Sequence, residues 1–388
     1  MTDSGFLDGV TVLDLATVGP AARCSRLLAD YGAAVVKVGP PPGKKGVQIQ
    51  PPFFAYSAGR GTRRVQIDLK EPRGKDAFLK LAATAQVVIE SFRPGVVARL
   101  GIGWDDVRAV NPAIVYCSTS GYGQDGPQAA WAGHDLDYLA DGGFLAMSGK
   151  RADGGPALPG ATIADAAAGG MHAAIAILAA LVRARRSGVG AYLDVAVSEG
   201  VLALMGLVID EHLATGRAPA PGGDLLTGRY ACYDVYRAGD GRWLAVAAIE
   251  SQFWANLCRL LELPQWTQHQ YDDAHQEAIR ADLRRVFATR YRDDWVARLA
   301  PNDTCVAPVR EIAELPGMAQ HRARRVFAEA RHPTRGRFRQ VAPVLAGCER
   351  APEYQVPDAD ATETDAVLAA AGLDAAEIAA LRAAGIVA

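Results

Sequence analysis

Apolar residues in the first two hundred positions arrive in short runs separated by amphipathic stretches. Residues 10–15 (VTVLDL) predict a buried strand, 21–31 a helix and 34–38 (AVVKV) a second strand, together a βαβ unit. Residues 40–61 are rich in Pro and Gly and predict a loop, followed by a strand over 64–69 and a helix over 75–85. Strands at 87–90 and 114–118 flank an irregular link. This alternation of β and α is what a parallel sheet requires, so the first half predicts a Rossmann-like layer.

The remaining pattern changes character. Ala, Ile and Leu dominate a long helix over 165–186, which Ser187-Gly188-Val189-Gly190 stops, and Gly169 and Gly170 near its start imply close packing. A strand over 191–197 and helical sequence to 215 lead into a linker at 216–223. Strands over 230–236 and 243–248 pair around the turn Ala238-Gly239-Asp240-Gly241, and helices fill much of 251–299, a second lobe. The pattern over 361–386 predicts two short helices broken at Gly372, packed as a tail on the first lobe.

Length supports two domains, since the chain has 388 residues and single cores stop growing at about 250–300. A formal net charge of −2, from 41 basic and 43 acidic residues, supplies no global field for nucleic acid or an anionic membrane. The six cysteines, Cys24, Cys117, Cys232, Cys258, Cys305 and Cys348, lack CxxC spacing, which argues against a zinc site or disulfide framework and fits reduced thiols in a cytoplasm. The N-terminus lacks the pattern of a signal peptide, and the apolar run 174–181 is too short to span a bilayer, so a soluble cytoplasmic protein is expected. No G-x-G-x-x-G or G-x-x-x-x-G-K-[ST] fingerprint occurs, which removes support for NAD or nucleoside triphosphate.

Three groups look like an acid/base set: His134 in Gly133-His134-Asp135, Asp165 before the apolar helix, and Glu250 before Ser251. A histidine and carboxylates at the edges of apolar segments can take a proton from one side of a carbon and return one from the other. Singly, Asp165 reads as a helix cap, His134 as a loop residue and Glu250 as a first-turn carboxylate. His172 reads as a packed residue on the apolar helix. His269 and His275 read as solvated loop residues and not metal ligands.

Residues 7–15, Ile67-Asp68-Leu69-Lys70, Glu90-Ser91-Phe92-Arg93-Pro94-Gly95, Gly121-Tyr122-Gly123-Gln124-Asp125-Gly126-Pro127 and Gly133-His134-Asp135 occur in the order seen in the family III coenzyme A transferases. The chain resembles that CaiB/BaiF-like family over nearly its whole length, and within it the α-methylacyl-CoA racemase branch, which His134 marks. The resemblance implies an α/β fold: a large Rossmann-like CoA-binding domain (1–200), a linker (201–228), a small α+β domain (229–325) and a return segment (326–388) that completes the large domain, in an interlocked homodimer. It implies a 2-methyl-branched acyl-CoA substrate inverted at its α-carbon through an enolate, with His134 and Asp165 on opposite faces, Glu250 in support, and no metal or cofactor beyond the CoA of the substrate. For coenzyme A it points to Val18, Ile67, Lys70, Ser91, Phe92 and Arg99, with Arg93 nearby. The transferase branch would instead use Asp165 as a nucleophile that carries the acyl group as an anhydride; a binding protein without turnover is a third reading. The chain departs from the family pattern at Val38-Gly39-Pro40, at Gly59 before Arg60 and over 226–231, where Arg229 is a candidate for recognising an acidic acyl group.

Overall fold

Six parallel strands carry the larger part of the chain: β1 (Thr11–Asp14), β2 (Ala34–Gly39), β3 (Thr62–Gln66), β4 (Val87–Glu90), β5 (Val115–Ser120) and β6 (Ala191–Ala196). The computed structural model describes residues 5–44, 51–358 and 361–388; part of the loop expected over 40–61 therefore lies outside the described residues. The strand order is β3-β2-β1-β4-β5-β6, so the chain reverses its winding direction between β1 and β4. In an open α/β sheet that reversal leaves a crevice at the carboxyl ends of the strands, where ligands bind.

Helices cover both faces, as near-continuous apolar strands demand. On one face pack α1 (Gly19–Asp30) and the long helix described below; on the other pack α2 (Pro72–Thr84) and the C-terminal tail. Further along lie α3 (Asp135–Asp141), α4 (Ala164–Ser187) and α5 (Val197–Leu204). The expected irregular link after β4 contains two short helices, Val96–Leu100 and Trp104–Val110. Strand β3 starts and ends earlier than the pattern predicts, because the chain end competes for its edge: Ile67 bridges Val387 and the Asp68 N–H donates to the Ile386 carbonyl at 2.8 Å.

The chain forms two compact units: one runs to Phe144, resumes over Pro159–Leu207 and ends with Ala319–Ala388; the other comprises Leu145–Leu158 and Val208–Met318. The second unit holds the antiparallel sheet β7 (Tyr233–Arg237), β8 (Trp243–Ala247) and β9 (Val306–Pro308) with α6 (Ser251–Leu260), α7 (Gln276–Phe287) and α8 (Arg292–Leu299). Trp254, Phe287, Trp295 and Tyr236 fill its own core. The first unit has a small additional sheet, β10 (Phe327–His332), β11 (Gly336–Val341) and β12 (Glu353–Gln355). Its tail, α9 (Thr364–Ala370) and α10 (Ala375–Ala383), buries Val367, Leu368, Ile378 and Leu381 in the sheet core.

α4 is not uniform: Ala164–Met171 is wound as a π-helix and His172–Ser187 as an α-helix. At 24 residues it is long and apolar enough to cross a membrane by length and composition, which the run 174–181 alone does not reveal. Here Ala173, Ala174, Ile177, Ala180 and Leu181 are buried in the sheet core. His172, expected to be packed, is exposed, because the buried stripe passes through the two residues that follow it, Ala173 and Ala174.

Gly169 and Gly170 let α1 approach the π-segment. A Cβ on Gly169 would stand 2.5 Å from Pro20 Cβ, and one on Gly170 would stand 2.8 Å from Arg23 Cβ. On the opposite side a Cβ on Gly200 would reach within 2.1 Å of the Ala168 carbonyl oxygen, so α5 packs just as closely. Gly169→Ala should therefore cost about 1–3 kcal/mol through overpacking. Gly206→Ala, where a Cβ meets nothing within 4 Å, should change stability by less than about 1 kcal/mol. Urea unfolding of both variants checks the contrast; equal stabilities would show that the crossing is not tight.

Candidate active site

Asp165 lies in the first turn of α4, one residue inside the helix, and Ile163 occupies the cap position. It therefore does not cap the helix, and its carboxyl is half-buried beside α1. Its backbone N–H donates to Asp135 Oδ1 at 2.8 Å, so this donor is not free at the helix start. Burial first, and then the Asp135 carboxylate, raise the Asp165 pKa above the usual aspartate range; Arg23 and His134 pull it back.

His134 is held by its backbone rather than by its ring. It sits in extended conformation (φ −129°, ψ 177°) at the N-cap of α3, where its N–H donates to Asp137 Oδ2 at 2.8 Å. The imidazole makes no capping bond and is exposed. The loop before it is pinned by Tyr138, whose hydroxyl donates to the Gly133 carbonyl at 2.6 Å. Gly121 and Gly133 both make room for that ring, since a Cβ on either would lie within 2.7 Å of it. Tyr122 stacks edge-on against Tyr138 at 5.3 Å. Burial, with the Asp165 charge next, pushes the Tyr138 phenol up to about 12, so it stays a neutral donor. His134 and Asp165 are thus drawn together through adjacent Asp135, thirty positions from the amide it accepts.

Sequence reasoning missed Arg23. Its guanidinium donates to the Thr162 hydroxyl, lies over the Tyr56 ring at 5.6 Å and attracts the Asp165 charge, while its buried Nε has no hydrogen-bond partner. Tyr56 reaches that position from a turn in which Tyr56, Ser57 and Ala58 all have positive φ (49°, 56° and 55°), a conformation that costs energy in residues other than glycine. The Tyr56 hydroxyl accepts from the Gly19 N–H at 2.9 Å, so the strained turn is tied to the start of α1. No sequence rule selects three consecutive non-glycine residues for such a turn.

The residues expected to meet coenzyme A follow the carboxyl ends of three strands: Val18 after β1, Ile67 and Lys70 after β3, and Ser91, Phe92, Arg93 and Arg99 after β4. Lys70, Ser91, Arg93 and Arg99 are exposed. Ile67 is buried in the core, and Phe92 packs partly against it. Beneath them the buried Glu90 accepts the Phe92 N–H at 2.7 Å, and burial raises its pKa. Val38-Gly39 ends β2 without a charged side chain at the edge. In the second unit, Glu250 is exposed at the N-cap of α6, without a side-chain cap bond. Arg229 there is already engaged, 2.9 Å from Asp273 and stacked over Tyr230, so recognition of an acidic acyl group would have to displace Asp273.

The sequence model described as CoA-transferase family III matches residues 7–360. Alpha-methylacyl-CoA racemase of Homo sapiens is 34% identical over 315 residues, covering 80% of this chain and 79% of that one. Succinyl-CoA:glutarate CoA-transferase of Mus musculus is 29% identical over 354 residues, covering 87% and 80%. Among solved structures, a CAIB/BAIF family protein from Brucella suis superposes with a TM-score of 0.78 at 26% identity, covering 95% of this chain and all of that one (100%).

The raised pKa of Asp165 gives a stability test. The folded state binds this proton more tightly than the unfolded chain does, so the cost of the charge is fully present above the raised pKa. It fades as pH falls toward the ordinary aspartate value of about 3.9. Asp165→Asn should therefore be more stable than wild type at pH 7, with an advantage that shrinks on acidification through that window. Denaturant unfolding across pH checks the sign; an Asn variant less stable at neutral pH would overturn the electrostatic account.

Proposed function

Because the chain belongs to CoA-transferase family III, we propose that it is an acyl-CoA racemase that inverts the carbon α to the thioester of a 2-methyl-branched acyl-CoA. The observation that carries this reading is the pairing of an uncommitted imidazole at His134 with a carboxyl at Asp165 whose environment favours the protonated form. One-base chemistry would return the proton to the face it left; inversion needs a donor and an acceptor on opposite faces.

In this reading neutral His134 removes the α-proton, and the C–H electron pair moves into the thioester as an enolate. Protonated Asp165 then delivers its own proton to the other face, leaving imidazolium and carboxylate. The reverse reaction exchanges the roles, so the pair holds one proton at rest. With the Asp165 amide engaged by Asp135, stabilisation of the enolate oxygen draws on the positive end of the 24-residue α4. Arg23 keeps the Asp165 charge tolerable after transfer, Val18, Ile67, Lys70, Ser91, Phe92, Arg93 and Arg99 serve coenzyme A, and Glu250 keeps the supporting role the resemblance gives it. A cytoplasmic homodimer is part of the same reading; the exposed apolar side chains Met171, Ile175 and Val182 along α4 support a covered face.

A second reading has its own support, since transferase relatives match as much of the chain as racemase relatives do. Asp165 would then attack the thioester carbonyl, expelling CoA thiolate and forming an acyl anhydride, and His134 would be incidental.

Incubation with (2R)- and (2S)-2-methylacyl-CoA in D₂O, without an acceptor acid, separates the two. A racemase should incorporate one α-deuterium from either epimer, and His134→Ala and Asp165→Ala should each reduce incorporation by at least about 10²-fold while remaining folded. Undiminished exchange in His134→Ala would reject the assignment of the base; no exchange in wild type, with CoA transfer once a carboxylic acid is added, would make the protein a transferase.

A further inference from the structure

The second unit gathers three side chains, two of which, His269 and His275, the sequence reading took as solvated loop residues. His269, Asp272 and His275 form an H-x-x-D-x-x-H run spanning the end of one turn and the start of α7. His269 Nδ1 lies 3.1 Å and His275 Nδ1 2.8 Å from the same oxygen, Asp272 Oδ2. The two imidazole rings are 4.3 Å apart between centroids, and one candidate ligand atom from each residue falls within 4.8 Å of the others. We propose that His269, Asp272 and His275 bind one divalent ion of the zinc class.

The argument is geometric and chemical. Nitrogen and carboxylate ligands about 2.0–2.2 Å from a tetrahedral zinc ion stand about 3.3 Å from one another. The present spacings of 3.1 and 2.8 Å to Asp272 need only a few tenths of an ångström of outward movement. Two neutral imidazoles both facing one carboxylate oxygen can each donate a single Nδ1–H to it; with an ion bound, each ring takes the tautomer that carries its proton on Nε2, and both Nδ1 atoms and the carboxylate oxygen become ligands. Two nitrogen ligands beside one oxygen select zinc, cobalt, nickel or copper over magnesium or calcium, which prefer oxygen.

The surroundings hold the three side chains in place without using their ligand atoms. Asp272 Oδ1 accepts the Ala274 N–H at 3.0 Å, leaving Oδ2 toward the histidines. Gln276 donates to the carbonyls of Gln270 and Asp272 at 3.2 and 3.0 Å, which fixes the loop backbone. Trp266 flanks both imidazoles, at 6.1 and 5.8 Å between ring centroids, and its indole N–H is anchored on Asp282 at 2.8 Å. Such support around a site is what keeps histidine ligands oriented.

The same loop grips the segment that carries Glu250. Between the two histidines, the Gln270 amide donates to the carbonyls of Ala248 and Ile249 at 3.0 and 2.6 Å, and the Tyr271 hydroxyl donates to that of Ile249. An ion bridging residues 269, 272 and 275 closes this loop on itself and so stiffens the backbone immediately before the α6 N-cap.

The test uses the full-length chain stripped with a chelator. Calorimetric titration with Zn²⁺ should show one site per chain, and Co²⁺ should give the visible absorption of a low-coordinate nitrogen-ligated ion and quench Trp266 fluorescence, a signal that Trp266→Phe removes. The double variant His269→Ala/His275→Ala and the single variant Asp272→Asn should lose this site while keeping wild-type circular dichroism. Hydrogen exchange at Ile249–Glu250 should slow on Zn²⁺ addition in wild type alone. Absence of binding to wild type would overturn the proposal, as would binding of unchanged stoichiometry and affinity in the double variant, which would place the ion on other histidines. Because every readout is independent of turnover, failure here is distinguishable from failure of the racemase assignment.

Discussion

The distance between α1 and the first turns of α4 is the constraint on which the site depends. Gly169 and Gly170 remove the side chains that would hold Pro20 and Arg23 away, and Gly200 does the same for α5 on the far side. The π-winding of Ala164–Met171 sits between these two close approaches. A π-turn changes the angular position of each residue after it, so Asp165 and the buried stripe of Ala173, Ala174 and Ile177 need not obey one common periodicity. The first turns can then serve the site while the later ones serve the core.

From that packing follows the electrostatics. α1 brings one cation, Arg23, close to a carboxyl that the same packing partly dries. Burial and Asp135 together outweigh Arg23 and His134, so the balance favours the proton on Asp165. Deeper in the same βαβ unit the opposite balance is seen: the buried Asp14 is bound by the Lys37 ammonium, which also donates to Ser25 Oγ at 3.0 Å and to the Ala16 carbonyl at 3.2 Å. One carboxylate is ion-paired and ties strand to helix; the other is half-buried with its pKa raised. Removing a partner from a buried ion pair costs far more than shifting a half-buried titration, which suits the first to structure and the second to chemistry.

The sheet was legible because its strands are apolar runs bounded by turn residues: 10–15, 34–38 and 87–90 each fall on an observed strand. The two tail helices broken at Gly372 were legible for the same reason. What escaped depends on partners distant in sequence. β10 and β11 read FAEARH and GRFRQV, and charges on every other position look solvated until the strands pair. β3 is shortened by a competitor more than three hundred residues away, at Ile386–Val387. In the site, His134 and Asp165 were visible as residue types in a familiar order, but Asp135's grip on the Asp165 amide and the approach of Arg23 are consequences of the fold. The convergence of His269 and His275 on Asp272 was not legible either, because three-residue spacing in a loop says nothing about convergence; Gln276 and Trp266 supply that.

The two proposed readings of this chain, racemase and transferase, would start from the same bound state, a thioester placed beside the carboxyl at the start of α4. They part at what that carboxyl carries. A nucleophile must be ionised when the thioester arrives, and a proton donor must not be. The environment of Asp165 raises its pKa, the direction a proton donor needs and a nucleophile does not. His134 adds the second half: its imidazole is exposed while its backbone N–H is fixed on Asp137 at the start of α3. In the transferase reading such a group has no part, whereas in the racemase reading it is the second of the two bases. Proton inventory, more than overall similarity, is therefore the physical ground on which the proposed racemase reading rests.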